Sequence, residues 1–192
     1  MTADTSEEAH SPGPGGRRLL RLEREVSFRL RVPLAPDAAR AFVQDVPASL
    51  AHADFLAGVR LPPGDPPTLE ARLPVNAAVF GVRDVPFASA VGLTASGATL
   101  TPAGPVDHDR AWAEVGGEAR VEPVEGGSRL DYALRLTVFL VMPSAERWGT
   151  QALLKMVELT AASVLRKVGE RFPRAVEAAA EEAARAAAVA PS

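Results

Sequence analysis

The stretch from Ser144 to Phe172 constrains the fold more than any other part of this 192-residue chain. Its apolar side chains recur at steps of three and four residues, which places them on one face of a helix. Charged side chains fall on the other face, Ser144 suits the helix start, and Pro173 is expected to end or kink the helix. At 1.5 Å per residue such a helix is about 40 Å long, enough to cross a small domain. Its predicted inner face consists of Leu153, Met156, Val157, Thr160, Val164 and Val168.

A second pattern, with a period of two, runs from Leu20 to Leu34. Apolar and mostly charged residues alternate there, interrupted on the apolar face only at Arg24, which predicts a long half-buried strand. Two short helices are expected next, one across residues 35–46 and the other across residues 47–55. Further strands are predicted at Leu56–Leu61, Thr68–Gly81, Phe87–Ala95 and Ala98–Pro102, with turns at residues 82–86 and 96–97.

The last two strands are predicted to form a hairpin around a two-residue turn at Gly126 and Gly127. This turn places Ala119 beside Leu134 on the inner face and Glu118 opposite Arg135 on the outer face. The inner face then carries several small residues where a packed core usually has larger ones, which suggests unfilled space under the helix. The predicted inner positions are Ala113, Val115, Gly117, Ala119 and Val121, followed by Tyr132, Leu134, Leu136, Val138 and Leu140.

These elements predict an α+β fold in which a curved antiparallel sheet wraps a long C-terminal helix. The sheet has about seven strands, and the element order is a strand, two helices, five or six strands and the helix. The helix is the element long enough to cover the apolar face of such a sheet. The domain is expected to span residues 18–173, after a disordered leader at 1–17 and before an Ala-rich tail at 174–192 that is either helical or frayed.

This order of elements resembles the helix-grip fold of the START/Bet v 1-like (SRPBCC) superfamily over roughly Val26 to Phe172. The resemblance rests on VSFRLRVPLAPDAARAFVQDV, on GGSRLDYALRLTVFLV and on the terminal helix. Within the superfamily the chain looks most like the G-type subunits of carbon monoxide dehydrogenase and related uncharacterised bacterial proteins, where such an opening leads to a loop like GVRDVP (Gly81–Pro86). The resemblance implies a lipid, sterol, polyketide, quinone or other hydrophobic ligand between sheet and helix, with enzymes a minority.

Composition narrows the classes of function. The chain has no cysteine, which excludes disulfides, thiolate metal sites and a cysteine nucleophile. The formal net charge is −3 and the basic residues are spread along the chain, so nucleic acid is not an expected partner. We find neither a secretory signal nor an apolar run of about 18 residues. A cytoplasmic protein without a transmembrane segment is therefore expected, with peripheral membrane contact left open.

Few residues could carry chemistry. His52 and Asp54 would need to meet the Asp-His-Asp loop at residues 107–109 to bind a metal, and a solvated turn is the more common use of such a loop. Tyr132, the sole tyrosine, is either a core aromatic or a ligand-orienting hydroxyl, with Arg72 and Asn76 as candidate companions. Trp112 is expected on the outer face and Trp148 at the sheet end. Since no catalytic motif is recognised, we predict no catalytic residue, metal or cofactor.

Three functions are compatible with this sequence. The first is non-enzymatic binding or carriage of a hydrophobic small molecule, such as a lipid, a quinone or a polyketide-like compound. The second is a cyclase or aromatase on the same fold, which would need an acid–base pair in the pocket. The third is a protein–protein adaptor whose cavity is filled by its own side chains. The predicted pocket consists of Val115, Val121, Tyr132, Leu134, Leu136, Val138, Leu153, Met156, Val157, Thr160 and Val164.

Overall fold

A computed structural model describes residues 17–77, 81–104, 110–143 and 150–189. These residues form seven strands and three helices in the predicted order. The elements are β1 (Arg17–Val32), α1 (Pro36–Gln44), α2 (Val46–Ser49), β2 (Ala57–Arg60), β3 (Thr68–Ala77), β4 (Gly81–Thr94), β5 (Gly97–Pro102), β6 (Ala111–Val124), β7 (Gly127–Pro143) and α3 (Thr150–Val189).

All seven strands belong to one antiparallel sheet in the order β1-β7-β6-β5-β4-β3-β2. The first strand therefore joins the last one at one edge, and the short β2 forms the other edge. The long helix α3 packs against β1 and β3 and covers the inner face of the sheet. The predicted α+β helix-grip class is confirmed.

The alternation of apolar and charged residues explains why this segment forms the strand β1. The strand pairs with β7 from Arg17 to Val32. Val26 and Val32 are buried on the inner face, and the charged residues between them are exposed. Arg24 interrupts the apolar face as predicted; its Nε is buried and has no hydrogen-bond partner among the described residues. The strand is thus half-buried over its length.

The two short helices connect β1 to the far edge of the sheet. Pro36 opens α1, and Phe42 and Val43 bury its apolar side. The Asp45 side chain accepts a hydrogen bond from the backbone N–H of Ala48 and caps α2 at 3.2 Å. These helices fit the predicted order, although α2 is only four residues long.

The β6–β7 hairpin turns one residue earlier than predicted. Val124 pairs with Gly127, so Glu125 and Gly126 form the turn, with Gly126 at a φ of 79°. Gly127 lies outside the turn, and glycine is needed there because a Cβ would collide with the carbonyl oxygen of Val32.

The earlier turn shifts the cross-strand pairing of the hairpin by two residues. Ala119 therefore lies opposite Tyr132 and not Leu134, and the predicted Glu118–Arg135 pair does not form. A shift of two preserves which face each side chain occupies. Arg135 instead binds Glu25 at 2.7 Å on the outer face.

The predicted turn at residues 82–86 is also wrong, because β4 already begins at Gly81. Its register with β3 runs without interruption from Thr68 to Ala77, so the connection falls at residues 78–80, outside the described residues. Pro74 fits inside β3 because it lies beyond Arg72, where the pairing with β2 stops and the strand edge is open.

Helix α3 does not end at Pro173 but continues to Val189. A proline inside a helix costs a hydrogen bond. Here the chain is anchored on both sides of it, by Phe172 before and by the fully buried Val176 after. Of the two expectations for the Ala-rich tail, the helical one describes the structure as far as Val189, and Ala179 and Ala180 are buried in the same core cluster. The predicted helix start at Ser144 lies outside the described residues.

The outer face of the sheet is covered by ion pairs. Arg29 binds Asp131 at 2.8 Å, and Arg120 binds Glu118 at the same distance. Trp112 stacks on its cross-strand neighbour Phe139 with ring centroids 4.8 Å apart. Among the described helices, none combines the length and the hydropathy that crossing a membrane requires.

Candidate functional site

A cavity lies between the inner face of the sheet, the α1–β2 segment and the middle of α3. Its volume is ≈ 80 Å³ measured as space open to the centres of water molecules. Since about 10–15 Å³ by this measure holds one water, the space exceeds a packing defect. The wall consists of Val26, Val43, Val46, Ser49, Leu50, Phe55, Leu56, Leu69, Leu73, Phe87, Ala98, Leu100, Val115, Glu118, Ala119, Tyr132, Leu134, Leu136, Val168 and Phe172.

Two alanines create part of this space. Ala98 on β5 and Ala119 on β6 are cross-strand partners, and both are buried in the cavity wall. Ala119 also lies opposite Tyr132 on β7. Small side chains on adjacent inner positions leave room that larger ones would fill. The predicted shortage of side-chain volume is thus found where the cavity lies.

In the described part of the chain, the wall is apolar apart from three residues, and two of these already have hydrogen-bond partners. The Ser49 hydroxyl donates a hydrogen bond to the Val46 carbonyl at 3.0 Å. The Glu118 carboxylate lies on the outer face of the sheet, where it accepts a hydrogen bond from the exposed Arg120 at 2.8 Å, so it does not point into the cavity. The third polar residue is Tyr132. Any polar group of a bound molecule would meet mainly this tyrosine.

Tyr132 is 8% exposed, and its hydroxyl has no hydrogen-bond partner among the described residues. Its ring stacks on Phe28 with a centroid distance of 4.9 Å and meets Phe172 edge-on at 5.9 Å. Burial raises the pKa of the Tyr132 hydroxyl above its usual value because the phenolate would be poorly solvated. The side chain is therefore a neutral, fixed hydrogen-bond donor at physiological pH.

The structure brings four of the predicted pocket residues into the cavity wall: Val115, Tyr132, Leu134 and Leu136. Val121 and Val138 are buried in the core but are not part of the wall. The agreement is good on the hairpin because the predicted inner and outer faces were right.

The predicted helix residues lie elsewhere. Met156 is 50% exposed, and Val157, Thr160 and Val164 are only partly buried; none of the four belongs to the wall. The side chain of Leu153 lies outside the described residues. In the first half of α3 the described buried face is formed by Ala161, Leu165 and Val168. Val168 was predicted on the inner face and lies in the cavity wall, whereas the other predicted positions with described side chains are turned away from the buried face.

Sequence reasoning missed the contribution of the α1–β2 segment, which supplies Leu50, Phe55 and Leu56 to the wall. It also missed Phe172, four residues after Val168 on the same helix face. The spacing of four residues could have predicted that Phe172 shares the face of Val168. The position of the α1–β2 segment beside the cavity could not be predicted in this way, because it depends on contacts between residues distant in sequence.

The other candidate residues serve structural contacts. His52 lies 2.6 Å from Glu182, and Asp54 lies 3.4 Å from Arg171, so both face α3. Residues 107–109 lie outside the described residues, within which no cluster of three metal-binding side chains occurs.

Of the two proposed companions of Tyr132, only Arg72 can be placed, and it does not reach the tyrosine. Arg72 is exposed and binds Asp84 at 3.4 Å, and the side chain of Asn76 lies outside the described residues, as does Trp148.

The first of two similar solved structures supports the fold. The di-domain ARO/CYC StfQ from the steffimycin biosynthetic pathway is similar to this chain with a TM-score of 0.50 and 14% identity. The match covers 88% of this chain and 53% of that protein, so the chain spans about half its length. The Zhui aromatase/cyclase from Streptomyces sp. R1128 is similar with a TM-score of 0.45 and 16% identity, over 85% of this chain and 94% of that one.

No protein of curated function matches this sequence. A family model described as "Protein of unknown function (DUF3809)" matches residues 27–170, most of the helix-grip domain. The chain therefore belongs to the DUF3809 family.

Proposed function

We propose that this protein binds and carries a hydrophobic small molecule, such as a lipid, a quinone or a polyketide-like compound, without transforming it. The observation that supports this most is the wall of the cavity, which is apolar except at Ser49, Glu118 and Tyr132. Apolar walls with a few placed polar groups are typical of small-molecule sites. Removing an apolar ligand from water supplies the free energy of binding.

An aromatase or cyclase on the same fold is the alternative. The similar structures carry such names, but at 14–16% identity they speak for the fold alone. Proton transfer would require an acid–base pair facing the ligand. Of the described wall residues, only Glu118 and Tyr132 carry an acidic side chain, and the Glu118 carboxylate is paired with Arg120 on the outer face. This inventory favours carriage over catalysis.

An adaptor with a filled cavity is the third candidate. The open volume beside Ala98 and Ala119 argues against it, since an adaptor has no use for empty space in its core.

We also propose that this protein is related to the G-type subunits of carbon monoxide dehydrogenase and that it lies in the cytoplasm. Part of the basis for that resemblance is weaker than expected, because Gly81–Pro86 lies within β4 and not in a loop.

Uptake of a lipophilic dye whose emission depends on its environment tests the proposal. The wild type should bind the dye, and Ala119→Phe should remove binding while the protein stays folded, because the new ring fills the cavity beside Tyr132. Ala133→Phe, at an exposed position on β7, is the matched control and should bind like the wild type. Failure of the wild type to take up dye, together with unfolding of Ala119→Phe, would mean that the space is already packed.

A further inference from the structure

The Tyr132 ring is held in place by other aromatic rings. Phe28 and Tyr132 stack with an interplanar angle of 8°, and Phe172 meets both rings edge-on, at 5.4 Å from Phe28 and 5.9 Å from Tyr132. Phe55 extends the cluster through Phe172 at 6.2 Å. Rotation of the ring away from the cavity would break these contacts. The position of the hydroxyl is therefore set by the fold before any ligand arrives.

The Tyr132 hydroxyl has a proton to donate and, among the described residues, no acceptor. Ser49 and Glu118, the other polar residues of the wall, are already engaged with the Val46 carbonyl and with Arg120. Buried polar groups without partners are rare in folded proteins, and each one calls for a specific explanation. A ligand with an acceptor atom would be the hydrogen-bond partner that the Tyr132 hydroxyl lacks.

The charges around the cavity indicate what kind of acceptor fits. Among the described residues, no lysine, arginine or histidine belongs to the wall. A carboxylate buried there would lose its hydration and would have no counter-ion among the described wall residues. Arg24, the cross-strand partner of Leu136, lies on the same inner face, and its Nε is buried without a hydrogen-bond partner among the described residues, but it is not a wall residue. A ketone or similar neutral oxygen can accept the Tyr132 proton without this cost.

We propose that the ligand is a neutral, largely apolar molecule with one acceptor oxygen, and that this oxygen binds the Tyr132 hydroxyl inside the cavity. This inference rests on the proposed function, because it names the chemical class of the carried molecule. The oxygen gives the ligand one fixed orientation, while the apolar remainder lies against the wall residues.

Three probes of nearly equal shape separate the possibilities: 2-acetylnaphthalene carries a ketone, 2-ethylnaphthalene replaces it with an alkyl group, and 2-naphthoate carries a negative charge. Isothermal titration calorimetry measures the affinity of each. The wild type should bind the ketone about two- to tenfold more tightly than the hydrocarbon, the range of one neutral hydrogen bond. The carboxylate should bind most weakly. Tyr132→Phe should lose the preference for the ketone and keep affinity for the hydrocarbon, whereas Thr101→Val, which removes an exposed hydroxyl on β5, should keep the preference.

The outcomes distinguish this inference from the proposed function. Equal affinity of the wild type for ketone and hydrocarbon, or an unchanged preference in Tyr132→Phe, overturns the role of Tyr132 but leaves hydrophobic carriage intact. Binding of 2-naphthoate as tight as that of the ketone overturns the neutral-ligand class and points to Arg24. If none of the three probes binds the wild type, the proposed function itself fails.

Discussion

Removing the Tyr132 hydroxyl should make the ligand-free protein more stable. The hydroxyl is buried without a partner among the described residues, and such a group costs about 1–3 kcal/mol. Phenylalanine keeps the ring and its stacking on Phe28 and Phe172. Because removing the hydroxyl also leaves a small void, the lower part of the range applies. We expect Tyr132→Phe to raise the free energy of unfolding by about 1–2 kcal/mol.

Urea denaturation of delipidated protein, followed by circular dichroism, measures this change. The slope of the transition should be the same for both proteins, so that a shifted midpoint reports stability alone. A tyrosine that donates a hydrogen bond in the folded protein would give the opposite sign, a loss of about 1 kcal/mol. A loss of that size would refute the unpaired hydroxyl. With saturating 2-acetylnaphthalene the wild type should regain stability relative to the variant, because the ligand binds only the folded state.

Four further substitutions, one of them a control, test the packing by the same denaturation assay. Leu165→Asp places a charge in the buried face of α3 and should lower the free energy of unfolding by about 3–5 kcal/mol. Its control, Lys167→Ala on the exposed side, should change stability by about half a kcal/mol or less. Similar losses in the two variants would mean that the assigned face is wrong. Gly127→Ala should cost several kcal/mol because its Cβ would collide with the Val32 carbonyl, and a neutral result would contradict that close approach. Val176→Ala should cost about 2 kcal/mol if the helix after Pro173 is docked, and almost nothing if it is free.

The period-two pattern of the sequence was enough to predict the strands of the sheet and the face that each side chain occupies. The hairpin turn was misplaced by one residue, yet the resulting shift of two left Tyr132, Leu134 and Leu136 on the inner face. What the strand pattern could not provide was the partner of Arg135, because Glu25 lies on β1, more than a hundred residues away in sequence. Local patterns determine facing, and contacts between distant segments determine register and pairing.

The buried face of the long helix was harder to predict, because large side chains along it are exposed and small ones are buried. Met156 and Leu159 are large and exposed, while Ala161 and Ala175 are small and buried. A search for large apolar side chains therefore selected the wrong face in the first half and undervalued the tail. Alanine gives little hydrophobic signal in sequence, although it permits the close packing that anchors the helix on both sides of Pro173.

Native mass spectrometry of the protein purified under gentle conditions tests the central claim most directly. We expect a wild-type species whose added mass belongs to a neutral apolar compound and disappears on mild activation. The adduct should be absent from Ala119→Phe and present in Ala133→Phe, because only the first substitution fills the cavity. An adduct retained in folded Ala119→Phe would contradict the assigned site. A wild type free of any adduct, which also fails to take up added apolar probes, would contradict carriage itself.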